Sequence, residues 1–186
     1  MHPNEQLTHL VPAFIALVHR VEDDELALPT PCTDWTIRDL LEHMISGSLT
    51  FAGALRGDAP RDDRGDVRRA IAEALPEFQL ALETPGAFDR PIRGLPFGDM
   101  DGEALAHYAA FDLLMHAWDL SMATGRSVEL PAAVVGEIDS WARRWLIEDY
   151  RRPGMFAPAT SPGAGASRLE RLVAFSGRDL AWVRTR

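Results

Sequence analysis

The sequence predicts an all-α protein, an antiparallel four-helix bundle with additional short helices and a small loop or hairpin insertion. Apolar residues recur at spacings of three and four in several long segments, which is typical of amphipathic helices. Thr36 and Ser167 are each followed three positions later by an acidic residue, the pattern of a capping box at a helix start. No segment shows a convincing run of the alternation that indicates a strand. Helices packed against helices are therefore the expected architecture.

The first two predicted helices lie in the N-terminal third of the chain. The first begins near Leu7, and its apolar positions continue for four turns through Leu10, Val11, Phe14, Leu17, Val18 and Val21. Pro12 either bends this helix or resets its start, because proline lacks the amide hydrogen that a helix interior uses. The second runs from about Thr36 to Leu55, and Thr36 with Asp39 forms its capping box.

A third helix and an irregular segment follow in the middle of the chain. Apolar residues from Val67 to Leu82 are spaced as in a helix, and Pro76 is expected to kink it. Glycine and proline then interrupt residues 85–101 repeatedly. This segment is predicted to be a loop, with a small hairpin around Gly94.

Two further long helices are predicted beyond that loop. The fourth occupies roughly Gly102 to Ala123 and ends before Gly125, a residue suited to the left-handed conformation that terminates helices. Pro131 is placed as the first residue of the fifth helix, since proline is favoured there. The fifth helix then carries large apolar residues on one side: Val134, Ile138, Trp141 and Trp145.

The C-terminal part is predicted to be an irregular segment followed by a short helix. Residues 151–167 are rich in Pro, Gly and Ala, which favours an extended wrap or a flexible tail. Ser167 and Glu170 make a second capping box, and Gly177 ends the helix that it begins. Because the chain has the length of an ordinary domain and no internal repeat, we expect residues 1–186 to form a single domain.

Composition and charge exclude several classes of function. Hydrophobic residues make up 46% and charged residues 25% of the chain, close to average globular usage, and no apolar run approaches the roughly 18 residues of a membrane span. A net charge of −9 disfavours nucleic acid and anionic membranes as partners. The N-terminus lacks the pattern of a signal peptide, and the single cysteine, Cys32, suits a reducing compartment. We therefore expect a cytoplasmic protein.

Three ionisable residues share one face of the predicted fourth helix. Asp112, His116 and Asp119 lie within about 60° of one another when each residue is placed 100° further round the helix. The rest of this helix is apolar nearly all round, so it is expected to be largely buried. Buried ionisable groups cost several kcal/mol each unless something pairs with them. Another polar group must therefore face these three residues.

His43 on the second helix is the candidate partner. Small residues lie on the same face of that helix as His43 and leave space beside it: Gly47, Thr50 and Ala54. If the two helices face each other, His43 meets Asp112 and His116, which gives two imidazoles and a carboxylate with room for an exogenous ligand. Such a set resembles a catalytic zinc site or a facial triad with open positions.

A purely structural interpretation of the same residues stands beside this one. His116 could be a core histidine hydrogen-bonded to Asp112, and the pair alone favours that interpretation over a metal. Asp119 could cap, form an ion pair with Arg38, or orient a ligand histidine, with the structural roles together favoured. Cys32 is expected to be a small buried residue and not a nucleophile, because nothing nearby lowers its pKa.

Three segments together resemble a known family: PTPCTDWTIRDLLEHMISG, FDLLMHAWDLSMATGR, and RPGMFAPA with RLERLVAFSGRD. They look like the actinobacterial branch of DinB-like metal-binding proteins, related to the metal-binding domain of mycothiol-dependent maleylpyruvate isomerase. The resemblance covers nearly the whole chain. It implies a four-helix bundle whose divalent metal, commonly zinc, is held here by His43, Asp112 and His116. With these three as ligands, Asp119 is the residue expected to orient one of them. The isomerase has Glu where this chain has Asp112.

The resemblance implies an activity in which the metal activates a thiolate. The expected protein is a thiol-dependent transferase or isomerase that uses mycothiol or a similar small thiol and an electrophilic substrate, and it could form a homodimer. Residues 85–101 and 151–167 are expected to form walls of the pocket. A metal-dependent hydrolase is the alternative enzyme. The alternative from another class is a non-catalytic metal-binding or dimerising helical module.

Overall fold

The computed structural model describes residues 1–59, 66–146, 150–151 and 155–183. The described chain is mainly α-helical, as predicted. Its helices are α1 (Pro3–Val18), α2 (Ile37–Arg56), α3 (Val67–Ala81), α4 (Gly102–Thr124), α5 (Ala132–Trp145) and α6 (Arg168–Phe175), with a short 3-10 helix at Asp23–Ala27. A two-stranded sheet joins β1 (Pro91–Ile92) to β2 (Met100–Asp101).

The four long helices α1 to α4 enclose one apolar core. Helix α1 packs against α3 and α4, and α2 packs against the same two helices. The largest fully buried side chains come from all four: Phe14, Leu40, Phe78 and Phe111 are examples. Helix α5 then packs on α4, and α6 packs on α5. This arrangement brings the polar residues of α2 and α4 to the same part of the bundle.

Helix α1 is longer than the apolar pattern indicated. It begins at Pro3, four residues before Leu7, and the side chain of His2 accepts a hydrogen bond from the amide of Asn4 at 3.4 Å. Proline is well suited to the first position of a helix because its missing amide hydrogen is not needed there. Pro12 neither ends the helix nor resets its start, and its ring is exposed on the solvent side.

The start of α2 agrees with the predicted capping box. The Thr36 hydroxyl accepts a hydrogen bond from the amide of Asp39 at 3.2 Å, and the Asp39 carboxylate accepts one from the amide of Thr36 at 2.8 Å. Asp39 is thus the cap partner of Thr36, as expected. The helix ends at Gly57, whose φ of 81° lies in the left-handed region that favours glycine.

The hairpin insertion and the start of α4 also agree with the sequence. Ile92 pairs with Met100 in the small antiparallel sheet, and Gly94, with a φ of 75°, lies in the turn between the strands. Helix α4 then begins at Gly102, where an added Cβ would lie only 1.9 Å from the carbonyl oxygen of Ala87. Only glycine can therefore occupy this close approach between α4 and the preceding loop.

The C-terminal part folds back on α5. Helix α5 begins at Ala132, one residue later than predicted, while Ser167 and Glu170 form the expected capping box of α6. Arg168 of α6 donates to the Asp139 carboxylate of α5 at 3.1 Å and ties the two helices together. Residues 155–167 contain neither helix nor strand; the part of the predicted irregular segment at 152–154 lies outside the described residues. None of the described helices has the length and hydropathy that crossing a membrane requires.

Candidate metal centre

The structure brings together the three predicted metal ligands. His43 projects from α2, while Asp112 and His116 project one turn apart from α4. Asp112 lies between the two rings, with Oδ2 at 3.7 Å from Nε2 of His43 and Oδ1 at 3.6 Å from Nε2 of His116. The two ring centroids are 5.1 Å apart, and one donor atom from each residue lies within 4.8 Å of the others. Two imidazole nitrogens and a carboxylate oxygen form a donor set that suits a borderline divalent ion such as zinc.

Burial changes steeply across these three residues. The His43 side chain is 41% exposed, that of Asp112 is 15% exposed and that of His116 is 6% exposed. The cluster is therefore open to solvent beside α2 and closed on the α4 side. A small molecule could approach from the open side without any rearrangement of the helices.

The electrostatics of the cluster keep the carboxylate ionised. Burial alone would raise the pKa of Asp112, but the charge of His116 and the hydrogen bond from His43 outweigh it and lower that pKa. Burial likewise opposes the charged form of His43, yet the hydrogen bond to Asp112 and the negative charge of that carboxylate together outweigh it and raise the pKa of the ring. Asp112 is thus an anionic donor at neutral pH, the form that binds a cation.

Asp119 holds the other nitrogen of His116. Its Oδ2 lies 3.0 Å from Nδ1 of that ring, and its side chain is completely buried. The ion-pair partner of Asp119 is Arg178, which follows α6, and not Arg38, which lies 4.0 Å from Glu42 on the surface. The interpretation in which Asp119 orients a ligand histidine therefore has the required contact, whereas the Arg38 alternative does not.

Cys32 lies beside the same carboxylate. Its Sγ donates to Oδ2 of Asp119 at 3.2 Å and lies 3.9 Å from Nδ1 of His116. Burial, reinforced by the negative charge of Asp119, raises the pKa of the Cys32 thiol far above its usual range. The thiol is therefore protonated at neutral pH, which agrees with the expectation that Cys32 is not a nucleophile.

Cys32, His116 and Asp119 form a second group whose donor atoms lie close enough to hold an ion. Arg178 argues against that use, because its guanidinium contacts both oxygens of Asp119 at 2.9 and 3.1 Å. A cation in this group would face a fixed positive charge and a protonated thiol. The group of His43, Asp112 and His116 is thus the better candidate for a metal centre.

Trp35 packs on the candidate metal ligands, a role that the sequence did not reveal. Its ring centroid lies 4.7 Å from that of His43 and 5.8 Å from that of His116, with the second pair stacked. The loop that carries it is held by Thr30, whose amide donates to the Trp35 carbonyl at 2.9 Å and whose hydroxyl accepts from the Cys32 amide at 3.2 Å. One short loop therefore places both Trp35 and Cys32 against the centre.

A narrow cavity adjoins the open side of the cluster. Its empty volume is about 310 Å³, including the part open to solvent, and all four long helices contribute to it. His43 and Asp112 form part of its wall, and apolar residues form most of the remainder: Leu7, Met44, Phe51, Leu75, Phe78 and Leu113. An added Cβ at Gly47 would meet no atom within 4 Å, so the small residue beside His43 does leave space.

Neither the loop at 85–101 nor the described part of 151–167 lines this cavity, contrary to the expectation that these segments form its walls. The loop at 85–101 reaches it only indirectly, since Phe97 packs edge-on against Phe51, a residue of the cavity wall, at 6.2 Å between ring centroids. In the second segment, Ala157 and Thr160 instead contact the turn that carries Arg178. These segments are not needed as walls, because the four long helices already enclose the cavity.

Comparison with known proteins gives a consistent result. A family model described as the mycothiol maleylpyruvate isomerase N-terminal domain matches residues 7–121, a range that contains His43, Asp112, His116 and Asp119. Two uncharacterized proteins of Mycobacterium tuberculosis, one from strain H37Rv and one from strain CDC 1551 / Oshkosh, are each 33% identical over 173 residues. Those alignments cover 90% of this chain and 93% of each relative. No solved structure matches this chain.

Proposed function

Because this chain belongs to the mycothiol maleylpyruvate isomerase N-terminal domain family, a metal-binding family linked to mycothiol, we propose that it is a metal-dependent thiol S-transferase or isomerase. The proposed substrates are a low-molecular-weight thiol such as mycothiol and a small electrophile. The observation that carries the proposal is the convergence of His43, Asp112 and His116 beside a cavity whose wall includes the first two of them.

The proposed ligands of the metal are Nε2 of His43, a carboxylate oxygen of Asp112 and Nε2 of His116. Three protein ligands leave at least one position for an exogenous molecule, which is typical of catalytic zinc sites, so Zn²⁺ is the expected ion. A bound divalent ion would favour the deprotonated form of a thiol at neutral pH.

The neighbouring residues orient this donor set. Asp119 accepts the hydrogen of Nδ1 of His116, which directs the lone pair of Nε2 towards Asp112 and His43. Trp35 packs on both histidine rings and restricts their rotation. The apolar wall of the cavity, with Phe51 and Phe78, would exclude water from the part of the substrate that lies against it.

The proposed chemistry consumes or recycles the thiol. In a transfer, the S–H bond of the thiol and the bond between carbon and leaving group break, a C–S bond forms, and the leaving group departs with the proton. In an isomerisation, the thiol adds across a double bond, the adduct rotates, and elimination returns the thiol unchanged.

The metal content of variants tests the ligand assignment. We expect wild-type protein purified without a chelator or a histidine tag to retain a stoichiometric divalent metal by elemental analysis. His43→Ala and His116→Ala should lose it, whereas His9→Ala, at an exposed position of α1, should retain it. Equal metal content in all four proteins would contradict the assignment.

Thiol consumption by the wild type with an electrophile would then separate an S-transferase from a hydrolase, which turns over without thiol.

A further inference from the structure

We infer that Arg178, from the C-terminal segment, is a positioning residue for the metal centre, because its ion pair with Asp119 fixes the carboxylate that orients His116. The metal in this inference rests on the proposed function. The orientation of the His116 ring is a property of the chain without metal and can be tested separately. Arg178 lies beyond residues 7–121, the range that the family model matches.

Arg178 and Asp119 are joined by two hydrogen bonds. Nε of the guanidinium donates to Oδ1 at 3.1 Å, and Nη2 donates to Oδ2 at 2.9 Å. The Arg178 side chain is only 13% exposed and that of Asp119 is fully buried. Two parallel hydrogen bonds set the plane of a carboxylate as well as its position, which a single bond does not. Asp119 is therefore held in one orientation.

That orientation determines what His116 can do. Oδ2 of Asp119 lies 3.0 Å from Nδ1 of the ring. A carboxylate paired with a guanidinium only accepts hydrogen bonds, so Nδ1 must carry the hydrogen when the ring is neutral. The lone pair is then on Nε2, the atom that lies 3.6 Å from Oδ1 of Asp112. Arg178 thus acts through Asp119 to present the ligand atom of His116.

The irregular C-terminal segment holds Arg178 in place. Gly177 has a φ of 95°, and an added Cβ there would lie 2.5 Å from the carbonyl oxygen of Ala157. The hydroxyl of Thr160 donates to the carbonyl of Arg178 at 2.7 Å, and Nη1 of Arg178 donates to the hydroxyl of Ser176 at 3.2 Å. These contacts give the segment before α6 a role that its composition did not show, the support of the turn that delivers the guanidinium.

Arg178→Lys tests the inference, with Arg168→Lys as the matched control. Lysine keeps the charge but cannot make two parallel hydrogen bonds. Arg168 forms an ion pair with Asp139 at 3.1 Å between α6 and α5, and neither residue contacts the metal centre, so its replacement disturbs an ion pair of the C-terminal part without touching His116. The readouts are the ¹⁵N shifts of His116 in metal-free protein at mildly alkaline pH, assigned with His116→Gln, and the metal Kd from competition with a chelator.

We expect His116 of the wild type and of Arg168→Lys to carry its hydrogen on Nδ1. Arg178→Lys should give a mixture of both ring forms and bind metal about 10- to 100-fold more weakly, the usual loss when a contact behind a ligand is removed. Ser176→Ala removes the contact at Nη1 together with the hydrogen bond that the hydroxyl donates to the Val173 carbonyl at 2.7 Å, and it leaves both bonds to Asp119 in place. It should shift the ring in the same direction by less, and it replaces Arg178→Lys if that variant does not fold.

A wild-type ring protonated on Nε2 would overturn the inference. Folded Arg178→Lys protein that keeps the wild-type ring form of His116 would also overturn it. If Arg178→Lys does not fold, Ser176→Ala protein with an unchanged His116 ring form would do the same. Wild-type protein that binds no metal would overturn the proposed function, while the ¹⁵N comparison would still decide the role of Arg178.

Discussion

Asp112 is the residue on which the two histidines converge. Each of its oxygens lies near a different ring, that of His43 or that of His116, at 3.7 and 3.6 Å. Its side chain is shorter than the Glu of the isomerase that the sequence resembles. The short side chain nevertheless reaches both rings, because α2 and α4 pack against each other at this point.

Replacing the charge of Asp112 should therefore abolish tight metal binding. Asp112→Asn keeps the shape of the side chain but removes the negative charge, and we expect the metal Kd to rise more than about 100-fold, beyond the loss seen for residues behind a ligand. Competition with a chelating dye measures this. Asp24→Asn, which removes one charge from an exposed position, is the control. Equal affinities of the two variants would refute the role of Asp112.

Cys32 gives a second prediction at the level of a residue. Because burial beside Asp119 raises the pKa of its thiol, less thiolate is present at neutral pH than in free cysteine. We expect iodoacetamide to alkylate Cys32 more slowly than free cysteine at neutral pH, as followed by mass spectrometry of the intact protein. Alkylation at the rate of free cysteine, or faster, in folded protein would contradict the assigned environment.

The helices α2 and α4 position the centre through their ends and their glycines. A capping box starts α2 at Thr36, and Gly102 starts α4 against the carbonyl of Ala87. Gly47 instead lies inside α2 next to open space. The space that a Cβ would take is therefore occupied at Gly102 and free at Gly47.

These environments predict opposite effects of the same substitution. Gly102→Ala should lower the free energy of unfolding by about 1–3 kcal/mol, because the new methyl group meets a backbone carbonyl. Gly47→Ala should raise it by about 0.5–1 kcal/mol, since alanine favours the helix and nothing blocks its Cβ. Urea unfolding of both variants measures the two changes. Shifts of the same sign would show that one of these environments is wrong.

At the scale of the molecule, the ion pair of Asp119 with Arg178 links the bundle to the C-terminal segment. Burial alone would raise the pKa of Asp119, but the charge of Arg178 and the hydrogen bond from His116 outweigh it and lower that pKa far below its usual range. A carboxyl group with a lowered pKa in the folded state stabilises the fold above its ordinary pKa of about 3.9. That contribution is lost as the pH falls below this value.

The stability of metal-free protein should therefore depend on Asp119 in a pH-dependent way. Asp119→Asn leaves Arg178 buried without its partner charge, so we expect a loss of about 3–5 kcal/mol at neutral pH. The difference from the wild type should shrink as the pH is lowered from about 4, where Asp119 of the unfolded wild-type chain begins to bind a proton. Urea unfolding over this pH range measures it. A constant difference would show that the carboxylate charge does not contribute.

The sequence predicted most element positions because their signals are local. Capping residues such as Thr36 and Ser167 lie within four residues of the amides they bind, and helical apolar spacing is a property of one segment. The start of α1 was placed four residues late because Pro3 and Gln6, although buried, do not look apolar in sequence. That the whole chain is one domain stays a prediction.

The residues of the candidate site likewise fall into two groups, those indicated by local sequence patterns and those brought in by distant segments. Spacing placed Asp112, His116 and Asp119 on one face of a helix, and the small residues beside His43 on the second helix indicated it as their partner. The family resemblance implied the same three ligands. The segments that close over that face could come only from the folded chain: Cys32 and Trp35 from the loop before α2, and Arg178 from beyond α6. Periodicity reports which residues share a surface, whereas contacts between distant segments depend on how the whole chain packs.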